Sequence, residues 1–449
     1  MTMPLYFYDS LSKTKKVFTP ITSHSVKLYV CGITPYDYAH LGHGRCYVSF
    51  DLLYRFLTLL NYNVTYVRNY TDIDDKIINK ALQGTPQAHY SDISKKFIAS
   101  FKQDMQALNC LPPTHEPTVT ESIESIISFV EGLITQKHAY VINNDVYFDI
   151  STFPTYGKLS GKNLEQLQAG ARIDVDTRKK NPGDFALWKG TPDKTFWHSP
   201  WGFGRPGWHI ECSAMAHSIL GETIDIHGGG QDLQFPHHEN EIAQTESLTK
   251  KTFANTWLHN AFVNINKEKM SKSLGNFVTL QGLFKDIDPM VLRYYYLQHH
   301  YRTPLDFSAE ELTSVTTAYK KLTALAQLLT EPTTITNISI AEIMENNLGQ
   351  KLIAALCDDL NTPKFLGIIF EHFSEIKLNS SYLRIAIFLL QSALGLTLSP
   401  LANSEPVITP EIEDLLKQRD IARQEKNWAL ADTLREKLKQ LGYMPQDKK

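Results

Sequence analysis

Two short apolar strands bracket one helix between Val26 and Val67, and that pattern leaves few folds open. Val26, Leu28 and Val30 alternate with Lys27 and Tyr29 before the chain reaches Cys31-Gly32, which predicts a strand running into a loop. From about Gly44 to Leu60 the apolar residues Val48, Leu52, Leu53, Phe56 and Leu60 recur at helical spacing, and Val64-Thr65-Tyr66-Val67 reads as a second strand. Strand, helix and strand in this order favour a parallel α/β sheet, with functional loops at the carboxyl ends of its strands. Cys31, His40, His43 and Thr71 all fall just beyond predicted strand ends.

With 449 residues the chain is about three times a single-domain length, so several domains or large insertions are expected. Its 42% hydrophobic and 21% charged residues are an ordinary globular balance. The start Met1-Thr2-Met3-Pro4 lacks the basic and apolar regions of a signal peptide, and no apolar run is long enough to span a membrane. Five widely spaced cysteines make no disulfide framework, so a cytoplasmic location is expected. A formal net charge of -3 gives no global footprint for nucleic acid, and such a partner must be argued locally.

The texture changes at Pro112-Pro113. A helix from about Val119 to Gln136 and a β-like piece at Asp145–Asp149 read as an insertion, and the α/β pattern resumes near Trp208 with a strand at Thr223–Ile226 running into His227-Gly228-Gly229-Gly230. Beyond Ser308 the pattern is helical, with Asn361-Thr362-Pro363 as one helix start. A Pro- and Asn-containing linker precedes a helix from Thr409-Pro410-Glu411, and Leu430, Leu434, Leu438 and Leu441 stripe a last helix that stops at Gly442.

Three local patterns carry chemistry. In His40-Leu41-Gly42-His43, Gly42 and Gly44 would let backbone approach a nucleotide, a helix start would offer N–H groups to phosphate, and both histidines could donate to phosphate oxygens. A helix cap with a polar turn explains the same residues equally well. Lys269-Met270-Ser271-Lys272-Ser273 would neutralise a pyrophosphate leaving group, or is a plain basic loop. His237 and Glu241 share a face on a helix that Pro236 would start and can reach one metal ion, although such pairs are common on helix surfaces.

The first two patterns, in this order, resemble the paired signatures of class I aminoacyl-tRNA synthetases. The runs Cys31–His43, Thr71–Lys76, Gly204–Ser213 and His227–Glu241, with the Lys269 loop, are similar in order to the cysteinyl-tRNA synthetase family, over most of the chain. The resemblance implies an ATP-dependent enzyme that activates L-cysteine to its adenylate and transfers it to the 3'-terminal adenosine of tRNA(Cys). Catalysis would be positioning plus charge stabilisation by His40, His43, Lys269 and Lys272, because the attacking carboxylate is already ionised. It further implies one Zn2+ held by Cys31, Cys212, His237 and Glu241, with Mg2+ accompanying ATP. Thr71 and Trp208 would wall the cysteine pocket with His227 near the metal, Gly229 and Asp232 would approach the ribose, and His209 and His238 would support the site. Zinc prefers a thiolate to a hydroxyl, so serine would be rejected without an editing domain. A monomer is expected.

The fold implied is a Rossmann-like catalytic domain in halves 1–111 and 202–307, a connective insertion at 112–201, a helical bundle at 308–395, a linker at 396–408 and an anticodon-binding region at 409–449. Two departures stand out: Leu41 replaces the usual Ile, and Gly442–Lys449 lacks a Gly-Thr-aromatic ending, which implies a shortened last strand or tail. In the C-terminal region Arg419, Arg423, Lys426, Arg435, Lys437 and Lys439 could meet tRNA phosphates, or form a solvated face. The rivals are a cysteine-to-amino-sugar ligase of the mycothiol type and a non-catalytic tRNA-binding paralogue.

Overall fold

The computed structural model describes residues 3–84, 87–162, 177–265, 268–269, 277–329, 338–401, 410–425 and 427–440. At its centre lie β1 (Ser25–Ile33), α1 (Leu41–Leu59), β2 (Asn63–Tyr70), α2 (Trp208–Leu220), β3 (Ile224–Gly230), α3 (His237–Thr249) and β4 (Ala254–Asn260). The four strands form one sheet in the order β4-β3-β1-β2, every pair parallel. Tyr29, which alternates with the apolar residues of β1, is fully buried as well, because a parallel sheet is covered on both faces. From β1 the chain crosses to β2 on one side, while β3 pairs with β1 on the other. The carboxyl ends of β1 and β3 therefore open a crevice at the point where strand order reverses, which is where such sheets bind ligands.

Between the halves of this domain sits helix Ile123–Thr135 and a five-stranded antiparallel sheet in the order Ala139–Ile142, Asp145–Phe148, Phe185–Gly190, Gly202–Pro206, Trp197–Ser199. Only its second strand was legible in the sequence. Gly207 joins this sheet to α2, and a Cβ there would lie 1.9 Å from the Ala186 carbonyl oxygen. Glycine thus lets the insertion press against the start of α2 and holds Trp208 at the crevice.

Helices Ala309–Ala326, Asn347–Cys357, Thr362–Glu371 and Ser380–Ser392 supply most of the following helical part, and Asn361 caps the third by accepting from Lys364 N. A guanidinium binds this part to the sheet domain. Fully buried Arg293 donates to Leu394 O at 2.7 Å and Leu108 O at 2.8 Å and pairs with Asp51 of α1, which also accepts from Arg55 Nε at 2.8 Å. Arg293→Met is expected to cost about 3–5 kcal/mol by stranding two carbonyls and half-pairing a buried carboxylate. A urea midpoint unchanged from the parent would refute that role.

By compactness the chain divides into Met1–Leu398 and Ser399–Lys449. The second unit holds helices Pro410–Gln424 and Trp428–Gln440, joined through Ala422, Ala431 and Leu434 with Leu415 against them. The buried stripe is Ala431, Leu434 and Leu438. Leu430, expected on it, is 45% exposed. Leu441 and Gly442 lie outside the described residues. No helix among those described is long and apolar enough to cross a membrane.

Candidate active site

The crevice has a volume of about 430 Å3, and its walls include Cys31, Thr71, Trp208, Cys212 and His237 at one end and His40, Gly42, His43 and Asp232 at the other. At the first end β1 delivers Cys31, α2 delivers Cys212, and α3 delivers His237 and Glu241. All four are buried, and their donor atoms lie within 4.8 Å of one another. Cys31 Sγ is 3.7 Å from Cys212 Sγ and 3.4 Å from Glu241 Oε1, and His237 Nε2 is 3.1 Å from the same carboxylate oxygen. A tetrahedral zinc with Zn–S bonds of about 2.3 Å requires sulfurs roughly 3.7–3.8 Å apart, so the spacing fits a zinc ion. The chemistry of the donors fits too. Burial pushes both thiols above their ordinary range; Cys212 adds to the rise of Cys31, while the bond from Cys31 offsets part of the rise of Cys212, so a bound cation is what would make them thiolates. Burial takes His237 down to about 3, against the pull of Glu241, which leaves a neutral imidazole suited to coordination.

Supporting groups fix this set. His209 Nδ1 lies 3.0 Å from His237 Nδ1, and Trp208 stacks on the His237 ring at 4.4 Å between centroids. Trp208 is 39% exposed, so it is a cleft wall and not core packing. Thr71 Oγ1 donates to Glu211 Oε2 at 2.7 Å, and Asn69 Oδ1 accepts from Gly32 N at 2.8 Å and Cys212 Sγ at 3.6 Å. The sequence reading missed Glu211 and Asn69, because a carboxylate beside a helical cysteine and an amide inside a strand look like surface residues. Their motif neighbours Cys212 and Thr71 were the only signal.

His227 does not wall the pocket. It is fully buried behind Glu241, with Nε2 2.8 Å from Glu241 Oε2 and Nδ1 without a hydrogen-bond partner among the described residues. The reason is register: His227 lies in the middle of β3, which runs on through Gly230. His227 and His238 also form a second four-donor set with Cys31 and Glu241. His238 Nε2 is 3.4 Å from Cys31 Sγ, and its Nδ1 is 2.8 Å from His259 Nε2.

At the other end of the crevice α1 starts at Leu41, three residues earlier than its apolar pattern suggests, with His40 as its cap. His40 Nδ1 accepts from Gly42 N at 3.1 Å and His43 N at 3.4 Å, and His43 Nδ1 accepts from His40 N at 3.2 Å. Leu41 N donates to Val278 O and Gly44 N to His40 O. The free N–H groups expected for phosphate are therefore already used. What the motif offers is different. Each ring accepts through Nδ1, so the protons of the neutral imidazoles sit on Nε2, and two stacked rings 3.7 Å apart present N–H donors. Burial and His40 keep His43 well below its ordinary range, hence neutral.

Two glycines move as well. A Cβ on Gly44 would meet Tyr296 Oη at 2.8 Å, so Gly44 serves packing and not nucleotide approach. Gly229 faces Leu233 and His238. It is Gly230, whose Cβ would lie 2.4 Å from Asp232 Oδ1, that lets Asp232 fold into the crevice wall. The backbone of Lys269 pairs with Asn264 in a short antiparallel hairpin. Lys272, with Met270, Ser271 and Ser273, lies outside the described residues.

A parallel sheet with a nucleotide-type crevice, a capped histidine pair and a hairpin carrying Lys269 defines a class I aminoacyl-tRNA synthetase. The family model "tRNA synthetases class I (C) catalytic domain" matches residues 17–317, and "Cysteinyl-tRNA ligase anticodon binding domain" matches residues 405–449. Cysteine--tRNA ligase of Trichlorobacter lovleyi is 47% identical, covering 97% of this chain and 96% of its own, and that of Geobacter metallireducens is 45% identical, covering 98% and 97%. The chain belongs to the cysteine--tRNA ligase family. Methionyl-tRNA synthetase of Mycobacterium tuberculosis, solved with methionyl-adenylate, shares the fold, with a TM-score of 0.58 at 14% identity over 91% of this chain and 96% of that one.

Proposed function

We propose that this ligase joins L-cysteine to tRNA(Cys) in two steps within the one crevice. A carboxylate oxygen of cysteine attacks the α-phosphorus of MgATP, and pyrophosphate leaves with the electron pair of the broken P–O bond. A ribose hydroxyl of the terminal adenosine, expected to be the 2'-OH, then attacks the acyl carbon, and AMP leaves. Nε2–H groups of His40 and His43 follow the α-phosphate as charge builds on its oxygens, and Lys269 and Lys272 neutralise the departing pyrophosphate. Gly42, Gly230 and Asp232 line the adenosine side, while Thr71 and Trp208 border the amino acid.

The observation that carries the choice of cysteine is the buried donor set of Cys31, Cys212, His237 and Glu241 at the amino-acid end of the crevice. Zinc held there supplies a coordination place that favours a thiolate over a neutral hydroxyl, the one chemical difference between cysteine and serine. The match of residues 405–449 to an anticodon-binding domain favours tRNA over an amino-sugar as acceptor. Cysteine-dependent ATP–pyrophosphate exchange, followed by charging of purified tRNA(Cys), tests the whole reading. Exchange and charging together are expected. Exchange without charging would indicate the sugar ligase, and neither activity a silent paralogue.

A further inference from the structure

Arg45 is a buried cation that this mechanism leaves unused. It sits on α1 two residues beyond His43 and is 1% exposed. Its partners are all main-chain oxygens: Phe262 O at 2.7 Å, His300 O at 3.2 Å, Tyr301 O at 3.3 Å, and Thr303 O. Burial lowers it to about 10, so it is a cation at neutral pH, and none of its hydrogen-bond partners among the described residues is a carboxylate. Burying an unpaired guanidinium is costly, and a neutral side chain would be the ordinary choice for plain packing.

The carbonyls it gathers explain its place. Phe262 lines the crevice, and the strand Val263–Ile265 that follows pairs with Glu268–Lys269 on one side and with Leu305–Phe307 on the other. This strand and its partner Glu268–Lys269 are the described residues at the root of the Lys269 segment. On the return side the described chain resumes at Phe277, and there Leu41 N donates to Val278 O and Leu280 N donates to Ala39 O at 2.8 Å. Both ends of the Lys269 segment are thus tied to the start of α1. The return is tied by these backbone bonds and by the Phe277 ring set edge-on to His40, and the departure by the Arg45 side chain. Five N–H donors in a rigid plane can collect carbonyls from two loops at once, which a lysine ammonium on a flexible stem does poorly.

We infer that Arg45 is a positioning residue for adenylate formation, splicing the root of the Lys269 hairpin to the helix that carries His40 and His43 and so fixing the distance between the two phosphate-binding motifs. The inference rests on the assignment of those motifs to ATP. Misplacement by about 1 Å costs roughly 100-fold in rate, so Arg45→Lys should lower kcat/KM for ATP in pyrophosphate exchange by about that factor. Because the donor set at the other end of the crevice makes no contact with Arg45, KM for cysteine and bound zinc should stay within about twofold, and acyl transfer from preformed cysteinyl-adenylate within about threefold. Arg45→Ala should be worse than Arg45→Lys and partly restored by millimolar guanidinium. If the alanine form does not fold, the lysine form, which keeps the charge and part of the bonding, decides alone.

A wild-type kcat/KM for ATP in Arg45→Lys would overturn the inference. So would equal losses for ATP, cysteine and acyl transfer, which are the mark of a merely structural residue. His40→Asn separates the two levels. Intact exchange in that variant removes the phosphate assignment itself, whereas lost exchange beside an indifferent Arg45→Lys removes only the splice.

Discussion

Cys212→Ser is expected to raise the KM for cysteine in pyrophosphate exchange by about 100-fold or more while leaving the KM for ATP within about threefold. The substitution changes one atom at a site 2% exposed, so packing is conserved and the hydroxyl can still reach Asn69 Oδ1. What is lost is a thiolate, since a serine hydroxyl remains neutral at pH 7 and is a poor metal ligand. Bound zinc should fall from about one ion per chain to well below half. Discrimination against serine should fall with it, because the remaining pocket would separate the two amino acids by shape alone. Cys357→Ser, a buried thiol in helix Asn347–Cys357 of the helical part, is the control and should change neither value. Equal damage to cysteine and ATP kinetics would sink the thiolate–zinc assignment. The alternative donor set gives a sharper contrast: metal held by Cys31, His227, His238 and Glu241 would survive Cys212→Ser and be lost in His238→Gln. The assigned set predicts the reverse order.

The contrast shows what a sequence can and cannot yield here. Cys31 could be placed at a strand end by alternation alone, and His237 with Glu241 on one helical face by spacing alone. That those two elements and Cys212 of α2 converge within 4.8 Å is a matter of strand order, and no local pattern encodes it. Only the likeness of longer runs to a family joined them. His227 lies beside Glu241, near the donor set as expected, but behind the pocket wall, because a residue in mid-strand and one at a strand end look alike until the register of β3 with β1 and β4 is known. The apolar pattern of α1 begins only near Gly44, yet the cap reading of the histidine motif holds: His40 accepts from Gly42 N and His43 N, in a reciprocal contact with His43 that spacing alone does not show. Gly44, Gly207 and Gly230 each serve a close approach by a residue remote in sequence or by a folded-over side chain, so their purpose appears only in three dimensions. Arg45 was invisible for a plainer reason: its partners are carbonyls, which every residue carries.

That reciprocal contact leads to the second large effect. Asparagine places an amide oxygen near the position of a histidine Nδ1, and glutamine places an amide nitrogen near that of Nε2. In His40→Asn the cap on Gly42 N and His43 N can persist, since asparagine is among the best capping residues, while the donor aimed at phosphate is gone. In His43→Asn the acceptor for His40 N likewise persists. Both variants should therefore fold with a thermal midpoint close to the parent and lose about 100- to 1,000-fold in kcat for pyrophosphate exchange, the usual cost of one donor to a developing oxyanion. KM for ATP should change much less, because the bond strengthens as charge shifts onto the α-phosphate and contributes little in the ground state. The glutamine variants invert the pattern. His40→Gln keeps a donor in reach but gives up the cap, so it should lose about 0.5–2 kcal/mol of stability and retain more activity than His40→Asn. If the asparagine forms are the more active pair, the histidines act through the helix cap and not through phosphate, and the charge stabilisation of the transition state must be sought in the Lys269 segment instead.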